Sequence, residues 1–510
     1  MTDAQLDTLE AKGLIRLAAS MPEIEYLFRH WLVQDAAYGS LLKQERRELH
    51  RSVGESLEAL YPDRAKELAA VLAIHFAEAG ETDKALDYLV SAGQYALERN
   101  AVVEALAAFD RAAELLPPPS PDDTPDVRRR RIDVVAGGVR AGWTIRPTGD
   151  LVRALESVLP DAEALGDLER VAPIHLGIAM ARMQLGERST DPAVRRSLDR
   201  VAEIGDALHD PSLRALQLAV VGMTQVFAGP LREGVASLEE AVPLMDQRQD
   251  FIGAAFARGA LAIGYARLGE FERAEAAAEH TRELAKGGDV IAQLDAVIAE
   301  AILRSEQGRL ETARPMAEAC LLQGEETGAT ACIVASSWVL GDIYQREGRF
   351  EDARRTLQRG TDLALIVDRK FWRPSLQAWL GTSAAAIGDH DTAAGTWEEA
   401  LETAHSIDNR YGEAGILWKR AEAAVTRGEP SAALADFAAS AAILEEFGAR
   451  PSLARVLRGW GEALVALGKA EGEATLRRAL ALFEEMGLEP EAWAVRARLG
   501  AEGAGSAGSA

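Results

Sequence analysis

In ELAAVLAIHFAEAG, residues 67–80, Leu68, Val71, Leu72 and Phe76 fall at i, i+3, i+4 spacing, so the segment predicts a helix with one apolar stripe. Beyond residue 210 the helical pattern is punctuated by Gly229, Gly269, Gly308, Gly348, Gly388, Gly428 and Gly468, at intervals of 40, 39, 40, 40, 40 and 40 residues. Seven positions before each stands a small residue: Gly222, Ala262, Ala301, Gly341, Gly381, Ala421 and Gly461. Five positions after, Ala274, Ala313, Ala353, Ala393 and Ala433 recur. A turn glycine between small residues at fixed offsets predicts two antiparallel helices packed backbone to backbone. Such pairs stacked at a constant period predict a superhelical solenoid in which each unit packs on its neighbours.

The small–(six residues)–Gly–(four residues)–Ala pattern, as in LAIGYARLGEFERAEAAA (261–278) and LGDIYQREGRFEDARRTL (340–357), resembles the tetratricopeptide repeat in its longer form. The expected fold is therefore all-α, a TPR-like α-solenoid of regular repeats over 211–500, entered through divergent helices over 127–210. Gly234 takes the alanine slot in the first regular unit and Glu473 in the last, as capping units allow. In that family the groove-facing slots lie ten, six, three and two positions before the turn glycine. The resemblance thus implies a groove that includes Ile263, Arg267, Trp338, Asp342, Arg346, Trp418 and Glu422, with Phe256 one slot farther from the turn. Aromatics beside arginines and carboxylates suit a protein, a peptide or a small inducer. The competing reading packs the same tryptophans between helices. Small residues over 378–386 would leave room for a side chain to enter.

Residues 1–60 lie outside the repeat. A helix closed by Gly13, two short strand-like pieces and further helices suggest a partial winged-helix region. The stretch YLFRHWLVQDAAYGSLLKQERRELHRSVGESLEALYP (26–62) resembles the winged-helix region that follows the nucleotide-binding module in signal-transduction ATPases of the STAND class, including those joined to adenylate or guanylate cyclases. The family's Met-His-Asp-Leu motif stands here as Arg29-His30-Trp31-Leu32, which carries a nucleotide-contact role over to His30. A histidine between Phe28 and Leu32 can equally be a hydrogen-bonded core residue. Any contact with ATP would need a neighbouring domain: no phosphate loop is recognisable, and the single Gly468-Lys469 sits in a repeat turn. Arg29, Arg46, Arg47 and Arg51 could read DNA from a winged helix, but Glu45, Glu48 and Glu55 beside them read as a solvated face.

Residues 61–116 follow as a helical arm, with His75 beside its apolar stripe as a structural residue. PPPSPDDTPD (117–126) reads as a stiff linker. Arg128, Arg129, Arg130 and Arg131 come next, set to pair with Asp122, Asp123 and Asp126. The tail, residues 501–510, is Gly/Ala/Ser-rich and predicts disorder.

Composition narrows function. The formal net charge of −24 disfavours nonspecific binding to nucleic acid or anionic membranes. No apolar run approaches a membrane span, and the start lacks the features of a signal peptide. Cys320 and Cys332 lack metal-site spacing and read as small buried residues of a reducing, cytoplasmic compartment. No pattern of catalytic, metal or cofactor ligands is recognisable. The expectation is a non-catalytic sensor that regulates a linked STAND ATPase or nucleotide cyclase. A free-standing scaffold is the alternative, and a DNA-binding regulator a more distant one.

Overall fold

The computed structural model describes residues 3–19, 25–99, 101–143, 145–247, 251–286 and 290–506. It divides into two compact units, residues 1–137 and 138–510.

The first unit opens with α1 (Asp3–Ala11), the strands β1 (Ile15–Ala19) and β2 (Glu25–Phe28), α2 (Trp31–Ser40) and α3 (Lys43–Leu60). β1 and β2 pair antiparallel, with Ile15 opposite Phe28. α4 (Ala69–Ala79), α5 (Thr82–Glu98), α6 (Val102–Leu115) and α7 (Pro125–Gly142), whose residues past 137 belong to the second unit, follow. On α4 the buried stripe is Ala69, Leu72, Ala73 and Phe76, whereas Val71 is exposed. The expected stripe was rotated because it followed the large residues, while alanines make the close contacts. The proline segment lies within this unit, fastened to α7 by the Arg131–Asp123 ion pair at 2.7 Å and by Arg128 donating to the Pro121 carbonyl. Arg129 pairs with Asp126, and Arg130 reaches Asp87 on α5.

The second unit contains α8 (Thr148–Leu165), α9 (Leu168–Gln184), α10 (Pro192–Leu208), α11 (Pro211–Ala228), α12 (Leu231–Gln247), α13 (Phe251–Leu268), α14 (Phe271–Ala285), α15 (Val290–Glu306) and α16 (Leu310–Thr327). It continues with α17 (Thr330–Arg346), α18 (Phe350–Ile366), α19 (Arg373–Ala386), α20 (His390–Ser406), α21 (Arg410–Thr426), α22 (Pro430–Phe447), α23 (Arg450–Ala466), α24 (Glu471–Glu485) and α25 (Glu489–Ser506). α25 runs into the stretch expected to be disordered, since alanine prolongs a helix already begun.

Small residues seat the helices of each pair. A Cβ on Gly341 would stand 2.4 Å from Leu357, one on Gly381 2.5 Å from the Trp397 indole, and one on Gly461 2.7 Å from Leu476. In the last pair the close approach is made by buried Gly472, one position before the expected slot, and Glu473 is exposed. Gly269, Gly308, Gly348, Gly388, Gly428 and Gly468 all adopt positive φ, whereas Gly229 is extended. A second left-handed series, Gly328, Asp368, Asp408, Gly448 and Gly487, turns the chain from each pair into the next. Aspartate at two of these positions hid that series from a search for glycine.

Nothing lies within 4 Å of a Cβ built on Gly348 or Gly388, so their backbone conformation alone requires glycine. Gly348→Val and Gly388→Val are each expected to cost about 1–3 kcal/mol in denaturant unfolding. Hydrogen exchange should rise around residues 340–400 and stay unchanged over 70–110.

The odd-numbered helices form the inner layer. α17 buries residues around its whole circumference, whereas α18 buries one stripe made by Ala353, Leu357, Gly360, Thr361 and Ala364. Packing only against sequence neighbours does not describe this solenoid. Turns far apart in sequence meet: the Thr148 amide donates to the Val367 carbonyl at 3.0 Å, and Phe371 to Gln184 at 3.3 Å. Arg369, buried and held down to about 10 by desolvation, donates to the Trp143 carbonyl at 2.7 Å. Arg188 reaches Asp408 at 3.2 Å, and Ile407 covers Gly186. Small inner residues give the superhelix enough curvature for its successive turns to stack, a contact that a repeat-by-repeat reading omits.

Candidate functional site: an indole-lined cavity

Inner helices α15, α17, α19, α21 and α23, with the start of α25, surround a cavity of about 440 Å³. One tryptophan from each of three successive inner helices forms its aromatic wall. Trp338 and Trp379 meet edge to face with centroids 5.9 Å apart, and Trp379 and Trp418 likewise at 6.1 Å. The Trp379 indole donates to Asp342 and the Trp418 indole to Glu422, both at 2.8 Å. Trp338 Nε1 is buried and has no hydrogen-bond partner. The Lys419 ammonium lies 4.9 Å from the Trp379 centroid and 4.4 Å from that of Trp418, and donates to Glu422 at 3.1 Å.

The charged part of the lining joins distant repeats. Arg455 on α23 donates to the Glu306 carboxylate at 2.6 Å and to the Glu306 carbonyl at 2.8 Å, across 149 residues of sequence. Burial works against the Arg455 charge, but Glu306, Glu491 and Asp342 hold its pKa above the ordinary arginine value. Burial would likewise raise the Asp342 carboxyl. Arg346, Lys419, the Trp379 indole and Arg455 outweigh it and hold that group below the usual carboxylate range. Asp342 is therefore an anion at neutral pH.

Five of the eight groove residues expected from sequence, Trp338, Asp342, Arg346, Trp418 and Glu422, line this cavity. Two do not. Ile263 is buried among the packed helices, and Arg267 is wedged between the rings of Phe227, Trp338 and Tyr411 while donating to the Val226 carbonyl at 2.8 Å. The slot rule assumes an open groove. Where successive turns of the superhelix stack, the slots of α13 face other helices instead. The Phe256 side chain lies outside the described residues.

Trp379, Lys419, Arg455 and Glu491 were missed. The first two stand one residue beyond the slots occupied by Ala378 and Trp418. A search for one tryptophan per repeat would have found Trp379, since 338, 379 and 418 are 41 and 39 apart. Glu491 lies beyond Gly468, the last turn glycine of the series, at a position that no slot of the repeat marks.

In the first unit, His30 is exposed at the start of α2 and makes no capping hydrogen bond, which removes the packed reading. Trp31, Leu32 and Leu42 beside it are exposed as well. His50 connects Tyr38 to His75 through contacts of 3.0 Å on each side. Arg51 pairs with Glu81 at 2.5 Å. Cys320 and Cys332 are buried free thiols. Among the described residues no group of three or more His, Cys, Asp or Glu could hold a metal ion. No described helix is long and apolar enough to cross a membrane.

No protein-family model matches the chain. An uncharacterised protein of Rhizobium meliloti (strain 1021) is 29% identical over 118 residues, which is 23% of this chain and only 12% of that protein's length. A Rap protein, solved in complex with competence and sporulation factor, superposes with a TM-score of 0.53 at 13% identity, over 71% of this chain and 99% of that chain. A signal transduction ATPase with a tetratricopeptide repeat sensor from Pyrococcus horikoshii gives a TM-score of 0.42 at 15% identity, over 79% of this chain and 58% of that one. The Rap likeness establishes the fold alone: the chain is a TPR-like α-solenoid.

Proposed function

We propose that residues 138–510 form a sensor whose cavity takes up a peptide, a segment of a partner protein or a small inducer. Occupancy regulates a linked signal-transduction ATPase or nucleotide cyclase, and this chain performs no catalysis itself. The observation behind this reading is the cavity, where three indoles face buried charges and Trp338 Nε1 lacks a partner. A ligand with a polar group could supply hydrogen bonds to such a wall while its apolar part packs on the indoles. A Rap protein of similar fold is complexed with competence and sporulation factor, and a comparable occupant would suit this cavity. The link to an ATPase or cyclase rests on the resemblance of residues 26–62. The wall that would bind the ligand also carries Arg455–Glu306, so occupancy would bias how tightly the superhelix closes.

Thr382, half-buried on the cavity wall, offers the test. Thr382→Trp should fill the cavity while leaving the melting temperature nearly unchanged. Retention of a random hexapeptide library by the full chain, read by mass spectrometry, is expected to fall at least tenfold in this variant. Retention equal to that of the unmodified chain would overturn the assignment of the cavity.

A further inference from the structure

We propose that the cavity selects ligands bearing a primary ammonium or guanidinium group, which the Glu491 carboxylate receives; this rests on the cavity being the recognition site. Glu491 lies in the first turn of α25, and its side chain is 10% exposed. Neither carboxylate oxygen has a hydrogen-bond partner. The cations beside it, Arg346 and Arg455, stand at 3.7 Å, within ion-pair distance and beyond hydrogen-bond reach. Arg346 donates to the Ser305 carbonyl at 3.0 Å and faces Asp342 at 3.5 Å, while Arg455 is held by Glu306. Of the three carboxylates here, Glu306 is hydrogen-bonded by Arg455 and Asp342 by the Trp379 indole, while Glu491 receives no hydrogen bond. A buried carboxylate in this position needs donors that the protein does not supply.

The other cations of the lining give Glu491 no hydrogen bond. Lys419 is matched by Glu422, and Arg427 turns to Glu429 at 2.9 Å. Arg458 and Glu462 also line the cavity and cancel in charge. A ligand cation would bring two or three N–H donors to Glu491, whereas a ligand carboxylate would bring none and would leave both Glu491 oxygens without a hydrogen bond. The same cavity already accommodates one ammonium, Lys419, against two indoles and a carboxylate. Two further buried atoms point to the source of the cation. Trp338 Nε1 is a donor and Gln345 Oε1 an acceptor, both without partners. A peptide bond supplies both complements, so a lysine or arginine within a peptide satisfies this wall more completely than a free amine.

The test uses the full chain, the same hexapeptide library with blocked termini, and agmatine as the free guanidinium compound, at physiological salt. Lysine and arginine are expected to be enriched at least tenfold among retained peptides, and Glu491→Gln should remove that enrichment. Nonspecific attraction would survive the change, because the substitution moves the net charge by one from −24. The far-UV circular dichroism of Glu491→Gln at the assay temperature should match that of the unmodified protein, so unfolding would not explain the result. Agmatine shifting tryptophan emission in a Glu491-dependent way, without peptide retention, would keep the proposal and assign a free amine as the source. Peptides retained without basic enrichment, or with enrichment indifferent to Glu491→Gln, would overturn it. If Thr382→Trp still abolished their retention, the cavity would remain the recognition site.

Discussion

Replacing Arg455 by alanine is expected to destabilise residues 138–510 by about 3–5 kcal/mol, the penalty for stranding buried carboxylates. Its side chain is 10% exposed and holds both the carboxylate and the carbonyl of Glu306, with Glu491 alongside. Removal leaves two acidic groups facing a low-dielectric cavity with only Arg346 near Glu491. The loss should appear as a lower urea midpoint with an unchanged slope. Adding Glu306→Gln should recover part of the loss, because one stranded charge disappears. Hydrogen exchange supplies the discriminating readout. In a solenoid coupled only through neighbours, the effect would stay within α22–α25. Here it should also appear in α15, 149 residues earlier. Protection of α15 that stays at the native level would show that closure contributes little to stability.

Trp379→Ala is expected to cost about 3–5 kcal/mol as well, through the cavity left by a large buried side chain. Trp379 is buried, meets Trp338 and Trp418 edge to face, and supplies the indole donor to Asp342. Its loss also removes one of the groups that keep Asp342 ionised. Trp338→Ala should cost only about 1 kcal/mol, since Trp338 is half-buried and its indole nitrogen has no partner to lose. Thermal unfolding of the two variants side by side checks the contrast. Equal losses would mean that the indole wall is a uniform core and that Trp338 has no reserved surface.

Trp338 and Trp418 had two readings, groove or interhelical core, and the structure shows why neither was complete. Trp418 is buried and also lines the cavity, because an inner helix in a tightly wound superhelix touches neighbours on every side. The slot rule located Asp342, Arg346 and Glu422 on the wall because they obey the repeat. It misplaced Arg267 because that helix face is covered by Phe227 and Tyr411.

The sequence by itself determined the helix pairs, their period and their left-handed glycine turns. Each of these depends on residues within about forty positions, where backbone sterics and side-chain size act locally. Gly341 against Leu357 and Gly381 against Trp397 are contacts of this kind. Only the tertiary structure decided where the superhelix closes. Thr148 with Val367, Arg188 with Asp408, and Arg455 with Glu306 meet across 219, 220 and 149 residues, and no periodic pattern encodes those pairings. Small changes in the angle between repeats add up over several units before the chain meets itself. Whether Glu491 lies in solvent or among buried arginines depends on that accumulated curvature, and so does the chemistry of the cavity.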